Sequence, residues 1–140
     1  GKSYTVQYFE RNRFEYHPEL RGTPYIIQLG LLGVQYTAKR VFALSEPFRN
    51  TAETLYFPET GHRLGGGFRT LWGNKGGLRQ FGYPISEEFA ERSPTDGNMY
   101  TVQYFERARF EWHPEFRGTA NEFQLGLLGT WALQQTGCAP

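Results

Sequence analysis

Three histidines (His17, His62, His113), one cysteine (Cys138) and a scatter of glutamates are the groups from which a catalytic or metal centre would have to be built in this 140-residue chain. Two metal ligands on one face need a spacing such as His-x-x-x-His or Cys-x-x-Cys, and neither occurs. His17 and His113 each stand directly before a proline, in a structural setting. A nucleophile needs a base and an orienting group, but the sequence has no Gly-x-Ser-x-Gly, and Cys138 lies in a tail bounded by glycine and proline. Glycoside hydrolysis needs two carboxylates across a cleft. Glu87 and Glu88 are adjacent and diverge, while Glu15 with Glu111 and Glu19 with Glu115 occupy corresponding rather than facing positions. The glycine run 65–67 lacks the Lys-Ser/Thr of a phosphate loop. The expectation is a non-catalytic chain with no catalytic residue, no metal and no cofactor.

What remains is binding through a surface. Tyr16, Trp72, Tyr83 and Trp112 offer ring faces on which a sugar stacks, although an aliphatic-poor chain also needs such rings for its core. Arg13, Arg109 and His62 are candidate polar partners for sugar hydroxyls. Lys+Arg 15 against Asp+Glu 14 leaves a formal charge of +1, without the basic footprint that nucleic acid requires. No run of eighteen apolar residues is present, so no membrane span is expected.

These side chains must be positioned by a repeat. Residues 4–23, YTVQYFERNRFEYHPELRGT, recur 96 positions later as 100–119, differing only at Asn12/Ala108, Tyr16/Trp112 and Leu20/Phe116. The hexapeptide QLGLLG follows at 28–33 and again at 124–129. A fainter copy, LYFPETGH, lies at 55–62. The chain therefore divides into three repeat subunits, 1–48, 49–92 and 93–140, with the first and third equivalent. Alternation over Tyr4–Phe9 and Arg13–Pro18 predicts a β-hairpin closed around Glu10–Asn12, and Arg13, Glu15 and His17 share its polar face. Pro18 and Pro114 end the hairpins, because proline lacks the donor of a central strand position. An extended piece is expected at Tyr25–Leu29. Leu64, Phe68, Leu71 and Trp72 predict a helix ending near Gly73-Asn74, with weaker stripes at Leu32–Tyr36 and Leu128–Ala132. Segment 86–98, with its Thr-Asp-Gly-Asn turn, reads as the joint between subunits. The fold class is α+β: tandem units of a hairpin plus a short helix, sharing an aromatic-rich core because one unit cannot bury its own apolar face.

Gln7-Tyr8-Phe9, Thr60-Gly61-His62, Phe68 with Trp72, Gly76-Gly77-Leu78 and Phe81-Gly82-Tyr83-Pro84-Ile85-Ser86-Glu87 together resemble the LGFP repeat of bacterial cell-envelope proteins. The variant is similar to repeats of secreted or surface proteins of Chloroflexi-type bacteria. The resemblance implies an extracellular or cell-surface accessory module that binds or anchors to a bacterial polysaccharide or cell-wall polymer. The alternative is a structural or protein-interaction repeat, acting through a protein partner or self-association. Phe81 stands where the family has leucine, and the first and third subunits lack the Gly-Gly-Leu…Gly-Tyr-Pro ending.

Overall fold

The computed structural model describes residues 2–137; Cys138 lies outside them. The fold is α+β, with nine strands in three antiparallel sheets and four helices among the described residues. In chain order these are β1 (Thr5–Tyr8), β2 (Arg13–Tyr16), β3 (Ile27–Leu29), α1 (Leu32–Tyr36), β4 (Thr54–Phe57), β5 (His62–Gly65), α2 (Gly66–Asn74), α3 (Gly77–Phe81), β6 (Phe89–Arg92), β7 (Met99–Tyr104), β8 (Arg109–Trp112), β9 (Phe123–Leu125) and α4 (Leu128–Gln135). None of these helices is long and apolar enough to cross a membrane.

The hairpins form where the alternation places them. β1 pairs with β2 in the register Thr5↔Tyr16 to Tyr8↔Arg13, and β7 pairs with β8 in the same register 96 residues on. Each second strand stops at its His-Pro, and the proline starts a single 3-10 turn at Pro18–Leu20 or Pro114–Phe116. The chain then doubles back, and the His17 and His113 amides donate to Ile26 and Glu122 carbonyls at 2.7 Å, bringing β3 and β9 alongside. The faint third copy follows the same plan. β4, a Pro-Glu turn, β5 and α2 succeed one another as β2, the Pro-Glu turn, β3 and α1 do.

Two departures from the sequence reading have clear causes. Leu64, expected on the helical stripe, lies fully buried in β5, because Gly66 takes φ +55° and starts the helix after it. Segment 86–98 is no simple joint. Phe89–Arg92 pairs with β7 as β6, so the third sheet has four strands where the first has three. The Thr-Asp-Gly-Asn turn closes this hairpin, with Gly97 at φ +78° and the Asp96 carboxylate accepting from the Asn98 amide at 2.9 Å.

The main core lies between the middle segment and one face of the third sheet. Leu64, Phe68 and Phe81 meet Phe105, Ala108 and Phe110, with Phe57, Trp72, Trp112 and Phe123 around them. Phe81 and Phe110 pack edge to face at 4.9 Å, and Phe105 lies 4.2 Å from Phe110. At Gly67 a side chain would overlap the Phe123 ring, so the absence of one there lets α2 reach the sheet.

A second core joins the first and third units by exchange. Leu32 of α1 and Leu128 and Ala132 of α4 pack together. The Val34 amide donates to the Glu106 carbonyl at 3.0 Å, and the Thr130 amide donates to the Glu10 carbonyl at 3.0 Å. Arg107 donates to the Leu29 carbonyl, and Arg11 donates to the Leu125 carbonyl at 2.8 Å. Every member of these pairs is related to its counterpart by 96 positions. The two units thus meet by a pseudo-two-fold relation, in which each one's helix sits on the other's hairpin turn, as in an isologous dimer written into one chain.

Candidate functional surface

The polar face of each hairpin carries a ladder of charges. Arg13 Nη2 lies 2.6 Å from Glu15 Oε2, His17 Nε2 lies 3.3 Å from Glu15 Oε1, and His17 Nδ1 lies 3.1 Å from Glu19 Oε1. The third unit repeats this: Arg109 contacts Glu111, and His113 lies between Glu111 (2.9 Å) and Glu115 (3.0 Å). A tyrosine ring covers each imidazole at 4.1 Å, Tyr4 on His17 and Tyr100 on His113. Both ring nitrogens of both histidines are engaged by carboxylates, so the ladders tie strand to turn. Among the described residues no group of three or more His, Cys, Asp or Glu is arranged to hold a metal.

The seven residues expected to meet a sugar are distributed through the structure. Trp72 is half-buried, with Nε1 donating to the Gly82 carbonyl at 3.1 Å and its ring edge-on to Phe57. Tyr83 also packs edge to face on Phe57, and its amide donates to Glu106 Oε1 at 2.8 Å. Trp112 borders the main core, donates to Glu122 at 3.1 Å and lies under the Arg117 guanidinium. Arg109 is buried between Glu91 and Glu111, and His62 is buried with Nδ1 3.0 Å from Glu87. Tyr16 and Arg13 lie on the first sheet; Tyr16 accepts from Arg21 and borders a cleft with Tyr4, Lys2 and Pro18. No two of the seven share any of the five principal clefts. One cleft, of about 270 Å³, does combine aromatic and polar walls: Tyr36, Trp131, Arg109, Thr130 and Gln134. Glu88 lines another with Arg63, where burial pushes its carboxyl above the usual range.

The two equivalent sheets differ most in what covers them. In the third unit Val102, Gln103, Phe105 and Phe110 have no solvent exposure. Their equivalents in the first unit are open: Val6 is 42% exposed, Phe9 45% and Phe14 39%, and Gln7 is exposed; Ile27 is half-exposed where its counterpart Phe123 is partly buried. Phe9 and Phe14 stack on each other at 4.5 Å, as Phe105 and Phe110 do, so the geometry is kept; Leu29, paired with Phe14, is buried where α3 approaches β3, and the part left open is that of Phe9, Phe14 and Ile27. Among the described residues the outer edge of β1 carries no paired strand, whereas the outer edge of β7 carries β6.

No family model, curated protein or solved structure matches the chain. The likeness to the LGFP repeat therefore rests on its sequence segments alone.

This surface was only partly visible in the sequence. The repeat showed that two copies of one hairpin exist, but not that one would be covered and the other open. The signal available was the Gly-Gly-Leu…Gly-Tyr-Pro segment that runs into the second hairpin.

Proposed function

We propose that the chain is a non-catalytic interaction repeat, whose working surface is the outer edge of β1 and the apolar face that Phe9, Phe14 and Ile27 share. The observation that carries this reading is the contrast between identical residues, exposed in the first unit and fully buried in the third. Contiguous apolar surface beside an unpaired strand edge is a template for another polypeptide, supplying main-chain hydrogen bonds and side-chain pockets together. A photo-crosslinking residue placed at position 14, irradiated in an extract of the organism that encodes the chain, is expected to give discrete protein adducts identifiable by mass spectrometry. The same residue at position 110 should give intramolecular products only. Saccharide adducts at position 14, or none, refute the reading.

A second reading, anchoring to a cell-envelope polysaccharide at the cell surface, is supported by the Tyr36–Trp131 cleft and by the LGFP resemblance. The two rings meet edge to face at 5.0 Å, and Arg109 and Gln134 stand beside them. Retention on peptidoglycan or β-glucan that is lost in Trp131→Ala, with the fold intact, would establish it. Uniform absence of retention would remove it.

A further inference from the structure

We infer that the open face of the first unit is a docking site for one kind of occupant, a further polypeptide segment of the same type as residues 54–92. The inference rests on the interaction reading above and names its partner. The chain itself shows what covers this surface, because the equivalent surface is covered within the same molecule and the two hairpins are nearly identical in sequence.

The recognition in the covered copy is specific as well as apolar. The Gln103 carboxamide donates to the Arg63 and Ser86 carbonyls, both at 2.8 Å, so one buried side chain holds two separate points of the middle segment. The Ile85 amide donates to the Tyr104 carbonyl at 2.9 Å, and the Tyr104 amide donates to the Ser86 hydroxyl at 2.9 Å. The Glu106 amide donates to the Tyr83 carbonyl and the Arg107 amide to the Phe81 carbonyl. The Glu106 carboxylate returns by accepting from the Tyr83 amide. Leu64, Phe68 and Phe81 then fill the space over Phe105 and Phe110, and β6 closes the edge. All the sheet-side groups recur in the first unit as Gln7, Tyr8, Phe9, Glu10, Arg11 and Phe14.

A second copy of this chain is the poorer occupant, since its own 54–92 segment is already seated on its own third unit. One position differs in a way that tunes the fit. Asn12 stands where the covered hairpin has the fully buried Ala108, and Asn12 Oδ1 is buried with no hydrogen-bond partner.

The repeat spacing gives an in-register test, because Gly1 is equivalent to Gly97. A second copy of residues 50–96 is fused directly before Gly1 of the full chain, and hydrogen exchange and thermal unfolding are compared with the parent. The expected result is strong slowing of exchange at the outward amides of β1. Phe14→Lys should lower the midpoint of the fused protein by roughly 10 °C while shifting the parent by no more than about 2 °C. Asn12→Ala in the fused protein should raise its midpoint. Unchanged β1 exchange, with Phe14→Lys neutral in both proteins, overturns the inference. If instead the unfused chain dimerises through a face that Phe14→Lys disrupts, or position 14 crosslinks to a protein lacking the 54–92 pattern, the interaction reading survives and this assignment of the partner fails.

Discussion

Replacing Gly33 or Gly129 by alanine tests the reciprocal joint between the first and third units. A Cβ at Gly33 would lie 1.7 Å from the Phe105 carbonyl oxygen, and one at Gly129 would lie 1.7 Å from the Phe9 carbonyl oxygen. Both obstacles are backbone at the tip of a hairpin, so no side-chain rotation relieves them. Ordinary carbon–oxygen contact is near 3.3 Å, so each helix must retreat by roughly 1.6 Å. That movement breaks the adjacent amide-to-carbonyl bond, Val34 to Glu106 or Thr130 to Glu10, at a cost of about 1 kcal/mol. It also loosens the Leu32–Leu128–Ala132 cluster, at about 1–3 kcal/mol more. Each variant should therefore lose about 2–4 kcal/mol in urea unfolding, and the pseudo-symmetry requires the two losses to be similar. Gly73→Ala is the control. It lies inside α2 with nothing within 4 Å of the added atom, so it should be neutral or stabilising by about 0.5–1 kcal/mol. If Gly33→Ala matches the parent within 0.5 kcal/mol, or the two repeat positions differ severalfold, the reciprocal packing is refuted.

Further variants read the same asymmetry. Phe110→Ala should cost about 3–5 kcal/mol in denaturant unfolding and Phe14→Ala under about 1, since only the first of these identical residues is buried. Gln103→Leu strands the Arg63 and Ser86 carbonyls and should cost about 2–3 kcal/mol, whereas Gln7→Leu should be nearly neutral. For Glu88, burial raises the folded carboxyl above its unfolded value, so its charged form opposes folding above the folded pKa and the penalty vanishes below the unfolded one. Glu88→Gln should accordingly stabilise at pH 7 and match the parent at pH 3.5, as read from thermal midpoints.

The hairpins and their His-Pro ends were legible because alternation and proline act locally. The helix over Phe68–Trp72 was legible from Phe68, Leu71 and Trp72, although Leu64, expected on the same stripe, belongs to β5. Three features were not. α3 was hidden because it is only five residues long and opens on Gly77 behind Gly76, at φ +59° and +122°, glycines that carry no helical stripe. β6 carries Glu91 and Arg92 and has no strand signature of its own; its pairing to β7, with the Tyr104 hydroxyl donating to Glu91 at 2.6 Å, makes it a strand. The aromatic candidates for sugar stacking could not be separated from core by type. In a chain with few aliphatic residues Trp72 and Trp112 were drawn against the apolar cluster, and their indole N–H groups found acceptors beside it.

The exchange of helices between the outer units changes what the connecting chain has to do. Residues 43–50 contribute no helix or strand, and Leu44 is largely exposed. They form a leash that is itself tied to the middle segment, the Ser45 amide donating to the Gly61 carbonyl at 2.9 Å and the Tyr56 amide donating to Asn50 Oδ1 at 2.7 Å. Through it and the middle segment the covalent link keeps one outer unit at high effective concentration near the other and so turns a bimolecular encounter into an intramolecular one. Fit and tethering are then separable properties. The interlock is written in glycines and turn carbonyls on both sides, and a cut in the leash would remove the entropic advantage while leaving every contact of the joint in place.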